Sequence, residues 1–520
     1  MQFLDSELSK SLIIPIVDYP NMVRINEIVS QNPWWKHRDR FREFDKNIRE
    51  ADAKPIFFNR KPVELEKGNI YVLRGSRQIG KTTYIKDLIH KLIIKGTNAD
   101  NILYVSSDFF ISRRELREAI NYFANKNIDK TDLYIFIDEI TSLKDWNLEL
   151  KYLSDSGIVD KATTLVTGSS ASELRKRGEL LPGRGLEGNE YYMRPLSFRD
   201  LILQATSHIS DVVKDVEFRR SLQDLQPTLV KNSVSLGSDP DQLVKALHSI
   251  APFKRELDYL FDIYLRYGGY PFVVNEYMAQ KLQNRNTMDP KLSEVLVRDI
   301  LGNLTKLGKQ ETLVRQILAK IIEKYGSRYS FSKLAKDVET THVTTIDYLE
   351  ALEESFIITI LYAFDFSKKE MKPKGSKKIF FQDPFVFHSI RSFLTGRDVN
   401  EIVEETLKNE ELVSRVVEGI VSSHFVMSQE VPMMKESRTF LWFFYNARGK
   451  EIDNVLRIGV TYMATEVKYR RKVTPRDIWR IQQATKNLIL TKEDLKTDGD
   501  VILAPVSMFL ALLKKSERIL

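Results

Sequence analysis

Two short stretches carry residue types that act on phosphate. The first is Arg74-Gly75-Ser76-Arg77-Gln78-Ile79-Gly80-Lys81-Thr82-Thr83, which contains the spacing GxxxxGKT. Glycines let a chain wrap with its N–H groups turned inward, which makes a nest for an anion. The positive end of a following helix strengthens that nest. Residues Gly75, Ser76, Arg77, Gln78, Ile79, Gly80, Lys81, Thr82 and Thr83 are therefore expected to hold the phosphates of ATP. Lys81 would reach the β- and γ-phosphates, and Thr82 would bind Mg²⁺. The second stretch is Leu133-Tyr-Ile-Phe-Ile-Asp138-Glu139. Asp138 would hold Mg²⁺ through water, and Glu139 would orient or deprotonate an attacking water. In Thr163-Thr-Leu-Val-Thr-Gly-Ser-Ser, either Ser169 or Ser170 could sense the γ-phosphate, and Ser169 is the favoured one.

Such groups work only if strands and helices position them. Asn69-Ile-Tyr-Val-Leu-Arg-Gly reads as a strand entering the glycine loop. After the loop, Ile85, Leu88, Ile89 and Leu92 fall on one helical face, and Gly96 stops the helix. Strands are also expected at Asn101-Ile-Leu-Tyr-Val-Ser, at Leu133 to Ile140 and at Thr163 to Ser170. The apolar run from Leu133 fits a strand buried on both faces of a parallel sheet.

A second constellation lies near the C-terminus. Asp453 sits on a predicted strand, and thirteen residues later Glu466-Val-Lys468 sits on another. Alternation puts Glu466 and Lys468 on the same face. Asp453 and Glu466 could share a divalent metal, with Lys468 stabilising or activating a water. Glu418, on a predicted helix, is a further candidate acid. The arrangement resembles the PD-(D/E)xK nuclease pattern, although Ile452 stands where proline is usual. The alternative is a nuclease-like fold used for binding or assembly, with these charges paired to each other. The amides of Gln482-Gln-Ala-Thr-Lys-Asn could support the site.

The 520 residues have room for three or four domains at roughly 150 residues each. Hydrophobic residues make up 42% and charged residues 29%, a balance suited to globular cores. The net charge of +8 permits nucleic-acid or acidic partners without requiring them. The absence of cysteine excludes disulfides, thiolate metal sites and cysteine nucleophiles. The seven histidines show no HExxH spacing. No apolar run reaches the ~18 residues of a membrane span, and the N-terminus lacks the basic start of a signal peptide. The chain reads as cytoplasmic, with no membrane contact.

Several motifs occur in a fixed order: RGSRQIGKTT, FIDEI, VTGSSASEL, LPGRG, YYMRPLSFRDLI, YLRYGGYPFVV and KKIFFQDPFVF. This order resembles a large group of bacterial and archaeal AAA+ ATPases that carry a C-terminal nuclease-like domain of unknown role. The resemblance covers roughly residues 60 to 515. It implies an α/β fold: a P-loop AAA+ ATPase with a helical lid, a winged-helix domain and a C-terminal restriction-endonuclease-like α/β domain. It also implies a homo-oligomer with sites at subunit interfaces. By analogy Arg184 of LPGRG could act as an arginine finger on a neighbour's γ-phosphate; it could instead pin its own loop or grip a nucleic-acid phosphate.

The expected boundaries are an N-terminal arm at 1–59, the ATPase core at 60–205, the lid at 206–310, the winged-helix-like domain at 311–399 and the nuclease-like domain at 400–520. The third winged-helix helix carries Asp347, Glu350, Glu353 and Glu354 and no Lys or Arg, so it is a poor DNA reader. The following hairpin tip, Ser367 to Lys378, is strongly basic and could grip phosphate without reading sequence. Its alternative is a solvated loop. Asn32-Pro-Trp-Trp-Lys-His-Arg is expected to pack onto the ATPase domain or a neighbouring subunit rather than stack on bases. The whole reads as a Mg²⁺-dependent ATPase that moves nucleic-acid-associated modules, DNA being favoured over RNA. The rivals are an ATP-gated nuclease with a second divalent metal at the C-terminal domain, and a signalling switch with a protein partner.

Overall fold

The computed structural model describes residues 26–168, 189–285, 287–429, 438–470, 473–474 and 479–520. Ser169, Ser170, Arg184 and the basic pair Arg471-Lys472 lie outside the described residues.

Helix α1 (Lys46–Asp52) precedes a parallel sheet built from β1 (Ile70–Gly75), β2 (Ile102–Ser106), β3 (Leu133–Asp138), β4 (Ala162–Gly168) and β5 (Glu190–Met193). The strand order is β2-β3-β4-β1-β5. Helices α2 (Lys81–Ile94), α3 (Arg113–Lys126) and α4 (Asn147–Asp155) connect these strands. Alternation sends side chains to opposite faces. Ile70, Val72, Ile135 and Ile137 meet α3 through Leu116, Ile120 and Phe123. Tyr71, Leu73 and Phe136 face the other way, toward Ile85, Leu88 and Ile89 of α2. That second core runs on without a break into the rest of the chain.

Both edges of this sheet are covered by distant segments. At β2, the Asn32 side chain donates to the Tyr104 carbonyl at 2.8 Å and accepts from the Tyr104 N–H at 2.7 Å. The Trp34 and Trp35 indoles both donate to the Ile102 carbonyl. The tryptophan stretch therefore packs on this parallel sheet, as expected, and blunts an edge strand. At β5, Tyr192 donates to the Arg518 carbonyl at 3.0 Å and accepts from the Leu520 N–H at 2.8 Å.

Helices follow in a run: α5 (Phe198–Asp211), α6 (Val216–Lys231), α7 (Pro240–Ile250), α8 (Lys254–Tyr267), α9 (Pro271–Leu282) and α10 (Pro290–Lys306). Helix α5 starts on a capping box made by Ser197 and Asp200. Next come α11 (Glu311–Glu323), α12 (Phe331–Asp337) and α13 (His342–Glu354). Strand β6 (Ile358–Tyr362) then leads through the short pair β7 (Phe364–Asp365) and β8 (Glu370–Met371) to β9 (Lys377–Phe381), its antiparallel partner. Acids of α13 find cations within the chain. Asp347 pairs with Lys309, while Glu350 and the buried Glu353 pair with Arg438.

Helices α14 (Pro384–Thr395), α15 (Val399–Lys408) and α16 (Glu410–Met427) lead to a second sheet. Its strands are β10 (Leu441–Tyr445), β11 (Glu451–Ile458), β12 (Thr461–Lys468), β13 (Lys486–Thr491), β14 (Lys496–Asp498) and β15 (Val501–Pro505), in the order β10-β11-β12-β13-β15-β14. The first three strands are antiparallel, and β12, β13 and β15 are parallel. Helix α17 (Val506–Leu512) packs on α5 and α8. Among the described residues, no helix is long and apolar enough to cross a membrane.

Candidate functional site

Strand β1 delivers the glycine loop and α2 receives it. Gly75 must lack a side chain because a Cβ there would meet the Met193 carbonyl oxygen at 2.5 Å. Gly80, at φ +97°, is the left-handed residue that starts α2. Ile79 is buried, and Thr83 lines the cavity in front of the loop.

Lys81 is the first residue of α2 and is buried. Its ammonium donates to the carbonyls of Gly75 at 2.9 Å and Ser76 at 3.0 Å, and lies 3.9 Å from Glu139. Burial pulls its pKa down, against the opposing pull of Glu139 and Asp138. The Thr82 hydroxyl donates to Asp138 Oδ2 at 2.6 Å. Tyr104, from β2, donates to the same oxygen at 3.0 Å. Burial, with Asp138 adding to it, raises the Tyr104 hydroxyl well above its usual range. Glu139 sits at φ +50° just past the strand tip, and its carboxylate accepts from Thr141 at 3.2 Å.

Sequence reasoning placed the polar strand-end residue at Ser169 or Ser170. Within the described residues it is Thr167 that meets the acids. Its hydroxyl donates to Asp138 Oδ1 and accepts from the Glu139 N–H at 2.8 Å. Strand register could have found it. Val166 pairs with Ile137, so the residue after each lies level with its neighbour.

Three further contacts were not anticipated. Asp299 of α10 accepts from Gln78 and lies 4.0 Å from Arg77. The Ser76 hydroxyl lies 3.0 Å from that of Tyr270. Tyr270 follows two glycines that leave no room for a side chain: a Cβ at Gly268 would lie 2.1 Å from Asp383, and one at Gly269 would lie 2.1 Å from the Leu196 carbonyl. Asp383 accepts from the Gly269 N–H at 2.8 Å, and the Leu196 N–H donates to the Gly269 carbonyl at 2.7 Å. The motifs RPLSF, GGYP and QDP, far apart in sequence, thus meet behind the glycine loop.

A cavity of about 960 Å³ opens in front of the loop, walled by Lys81, Thr82, Asp138, Glu139 and Asp299. A second, of about 440 Å³, shares Gly80 and Thr83 with it and is walled by Ile56, Phe57, Phe58 and Phe272. Asn275 fixes that wall by pairing with both backbone groups of Ile56, at 2.8 and 3.0 Å.

The C-terminal constellation is arranged differently from expectation. Glu418, Glu451 and Asp453 converge, with one oxygen of each within 4.8 Å of the others. Glu466 is not in that group and pairs with Lys468. Burial raises Glu466 to about 7. Gln482 and Gln483 are exposed. The basic hairpin tip is also smaller than its composition suggested. Lys377 and Lys378 are buried, and Lys378 donates to Glu418, Glu451 and Asp453. Lys368, Lys369 and Lys374 remain exposed.

Residues 67–202 match the family model of an AAA domain, the segment that carries β1 to β5 and the glycine loop. Residues 258–397 match a domain of unknown function, DUF8612, which spans α8 to α14 and includes the GGYP and QDP turns. An uncharacterized protein of Methanocaldococcus jannaschii, MJ1637, is 25% identical over 327 residues, which is 62% of each chain. The match thus spans less than two thirds of that relative's length. An uncharacterized protein of Haemophilus influenzae is 23% identical over 62% of this chain and 69% of its own. Among solved structures, a point variant of Thermotoga maritima RuvB aligns at 15% identity over 59% of this chain and 83% of its own, with a TM-score of 0.25. The replication initiator DnaA bound to AMPPCP and single-stranded DNA aligns at 14% identity over 60% of this chain and 88% of its own, with a TM-score of 0.23.

Proposed function

We propose that the chain binds ATP with Mg²⁺ and hydrolyses it, and that turnover moves the segments after β5 against the nucleotide site. The observation that supports this best is the 2.6 Å hydrogen bond from Thr82 to Asp138, set beside the buried Lys81 at the start of α2. Two hard oxygen donors beside a phosphate nest suit Mg²⁺. The ion would neutralise charge on the phosphate oxygens.

The remaining work belongs to the chain. The loop N–H groups from Gly75 to Thr83 bind the phosphates. Lys81 leaves the carbonyls of Gly75 and Ser76 for the β- and γ-phosphates. Glu139 orients water or takes its proton, held in place through its backbone by Thr167. The apolar wall of Phe57, Phe58 and Phe272 takes the base. Arg184 of a neighbouring copy would complete the site in a homo-oligomer.

The same proposal assigns residues 60–205 to the ATPase core, 206–310 to the lid, 311–399 to a winged-helix-like unit and 400–520 to a nuclease-like fold, in a cytoplasmic protein. The element order α11-α12-α13-β6-β9 supports the third assignment. DNA is the favoured partner, held without sequence readout through Lys368, Lys369 and Lys374. The test is ATP hydrolysis by the full chain with and without DNA. Lys81→Ala should abolish nucleotide binding. Glu139→Gln should keep binding and lower turnover at least a hundredfold. Wild-type turnover in Lys81→Ala would end the proposal.

A further inference from the structure

Acids on adjacent strands, with a lysine two residues after one of them, suit a divalent metal. The structure lets that fit be tested at Glu418, Glu451 and Asp453. A cation already occupies the point where they converge. Lys378 Nζ donates to all three carboxylates, at 3.2 Å in the case of Asp453. An ammonium has three N–H donors, so each is used. The side chain is only 3% exposed.

Two further oxygens of the cluster are also engaged. Asp453 Oδ2 accepts from the Val467 N–H at 2.8 Å, and Glu451 Oε2 faces Arg328 at 3.2 Å. Glu466 Oε1 is held by Lys468, while its buried Oε2 has no hydrogen-bond partner. Four acids thus already face three cations. At the point where Glu418, Glu451 and Asp453 converge, a metal could enter only by expelling Lys378. The rings of Phe380 and Phe443 lie 5.8 and 5.9 Å from its ammonium and offer no other acceptor. Leaving a buried charge without its partners costs several kcal/mol.

Lys378 does not belong to the six-stranded sheet. It comes from β9, which pairs with β6. Beyond the other end of β9 lie Gln382 and Asp383, and Asp383 grips the turn that carries Tyr270 to the phosphate loop.

We infer that the acidic centre of the C-terminal sheet is a lysine-filled latch: Lys378 stands where the nuclease pattern places a divalent ion, ties the β6–β9 hairpin to the sheet, and leaves the domain without metal-dependent cleavage. Burial, then the Asp453 charge, raises the Glu418 carboxyl well above its usual range, against the opposing pull of Lys378.

The test is Mn²⁺ titration of the full chain without nucleotide, read by electron paramagnetic resonance and by melting temperature. Wild type should show no Mn²⁺ uptake that Asp453→Asn removes. Lys378→Ala empties the centre, so it should melt lower, gain one Mn²⁺, and recover melting temperature as Mn²⁺ is added. Lys378→Arg keeps the charge and should gain none. Wild-type Mn²⁺ binding that weakens tenfold or more in Asp453→Asn would overturn the inference. So would Mn²⁺-dependent DNA nicking lost in Asp453→Asn, or a folded Lys378→Ala that takes up no Mn²⁺. If Lys378→Ala does not fold, the comparison of wild type with Asp453→Asn decides alone.

Discussion

The Tyr270 hydroxyl lies 3.0 Å from the Ser76 hydroxyl, so the turn between α8 and α9 touches the loop that would hold phosphate. Tyr270 is almost fully buried, which means the contact is fixed by packing rather than by chance side-chain placement. Tyr270→Phe keeps the packing and removes one hydrogen bond, worth about 1 kcal/mol. Nucleotide affinity should change by less than about fivefold by that measure, while turnover falls. Equilibrium binding and steady-state hydrolysis on the same preparation separate the two; unchanged turnover would show that the turn does not report to the loop.

Thr167 positions both acids at the tip of β3. Thr167→Val preserves shape and removes the hydroxyl. Turnover should fall roughly ten- to a hundredfold, the range for losing a partner that orients metal-ligating groups. ATP affinity should stay within a few-fold. A large loss of affinity with normal turnover would assign Thr167 to ground-state binding instead.

Asp299 places a carboxylate beside the phosphate loop and engages Gln78 and Arg77. A like charge near incoming phosphate opposes binding. Asp299→Asn should therefore tighten ATP binding several-fold, with the gain shrinking as salt screens the charge. Weaker binding in Asp299→Asn would show that Asp299 holds the loop in its binding form.

Burial raises the Asp383 carboxyl to about 7, against hydrogen bonds from Gly269, Phe385 and Val386 that lower it. The native state thus binds a proton that the unfolded chain has released between its ordinary value of 3.8 and about 7. The stabilising contribution is full below pH 4 and is lost as pH rises through 7. Glu466 acts in the same direction. His388 and His424, buried and lowered to about 4, act in the opposite direction by losing stability as pH falls from 6.5. Wild-type stability alone will therefore mask the effect. The difference in unfolding free energy between Asp383→Asn and wild type should shift in favour of the variant between pH 4 and 7, by up to about 1.4 kcal/mol per pH unit. A flat difference would mean that Asp383 is ionised throughout.

The strand–glycine loop–helix order and the acids at the tip of β3 are legible because local spacing determines them. The contact of Thr167 with Asp138 and Glu139 is not, because it depends on the register of β4 against β3, and Ser169 lies outside the described residues. The motifs around Tyr270 and Asp383 were visible as strings, yet Gly269 and Asp383 meet across 114 residues, which no periodicity reveals. Lys378 was read as part of an exposed basic tip because its neighbours are Lys, Ser and Gly. Its burial follows from β9 starting at Lys377, which turns Lys378 inward toward acids on two other elements.

The parallel pairing of Tyr192 with Ile519 has a consequence for how the chain is made. During ribosomal synthesis β1 to β5 emerge early, but the strand edge at Tyr192 stays open until Arg518 to Leu520 have been made. Exposed edges invite pairing with other chains, and distant closures form slowly. A nascent chain stalled anywhere between those two segments would carry an adhesive sheet, so Arg518 to Leu520 act as its seal.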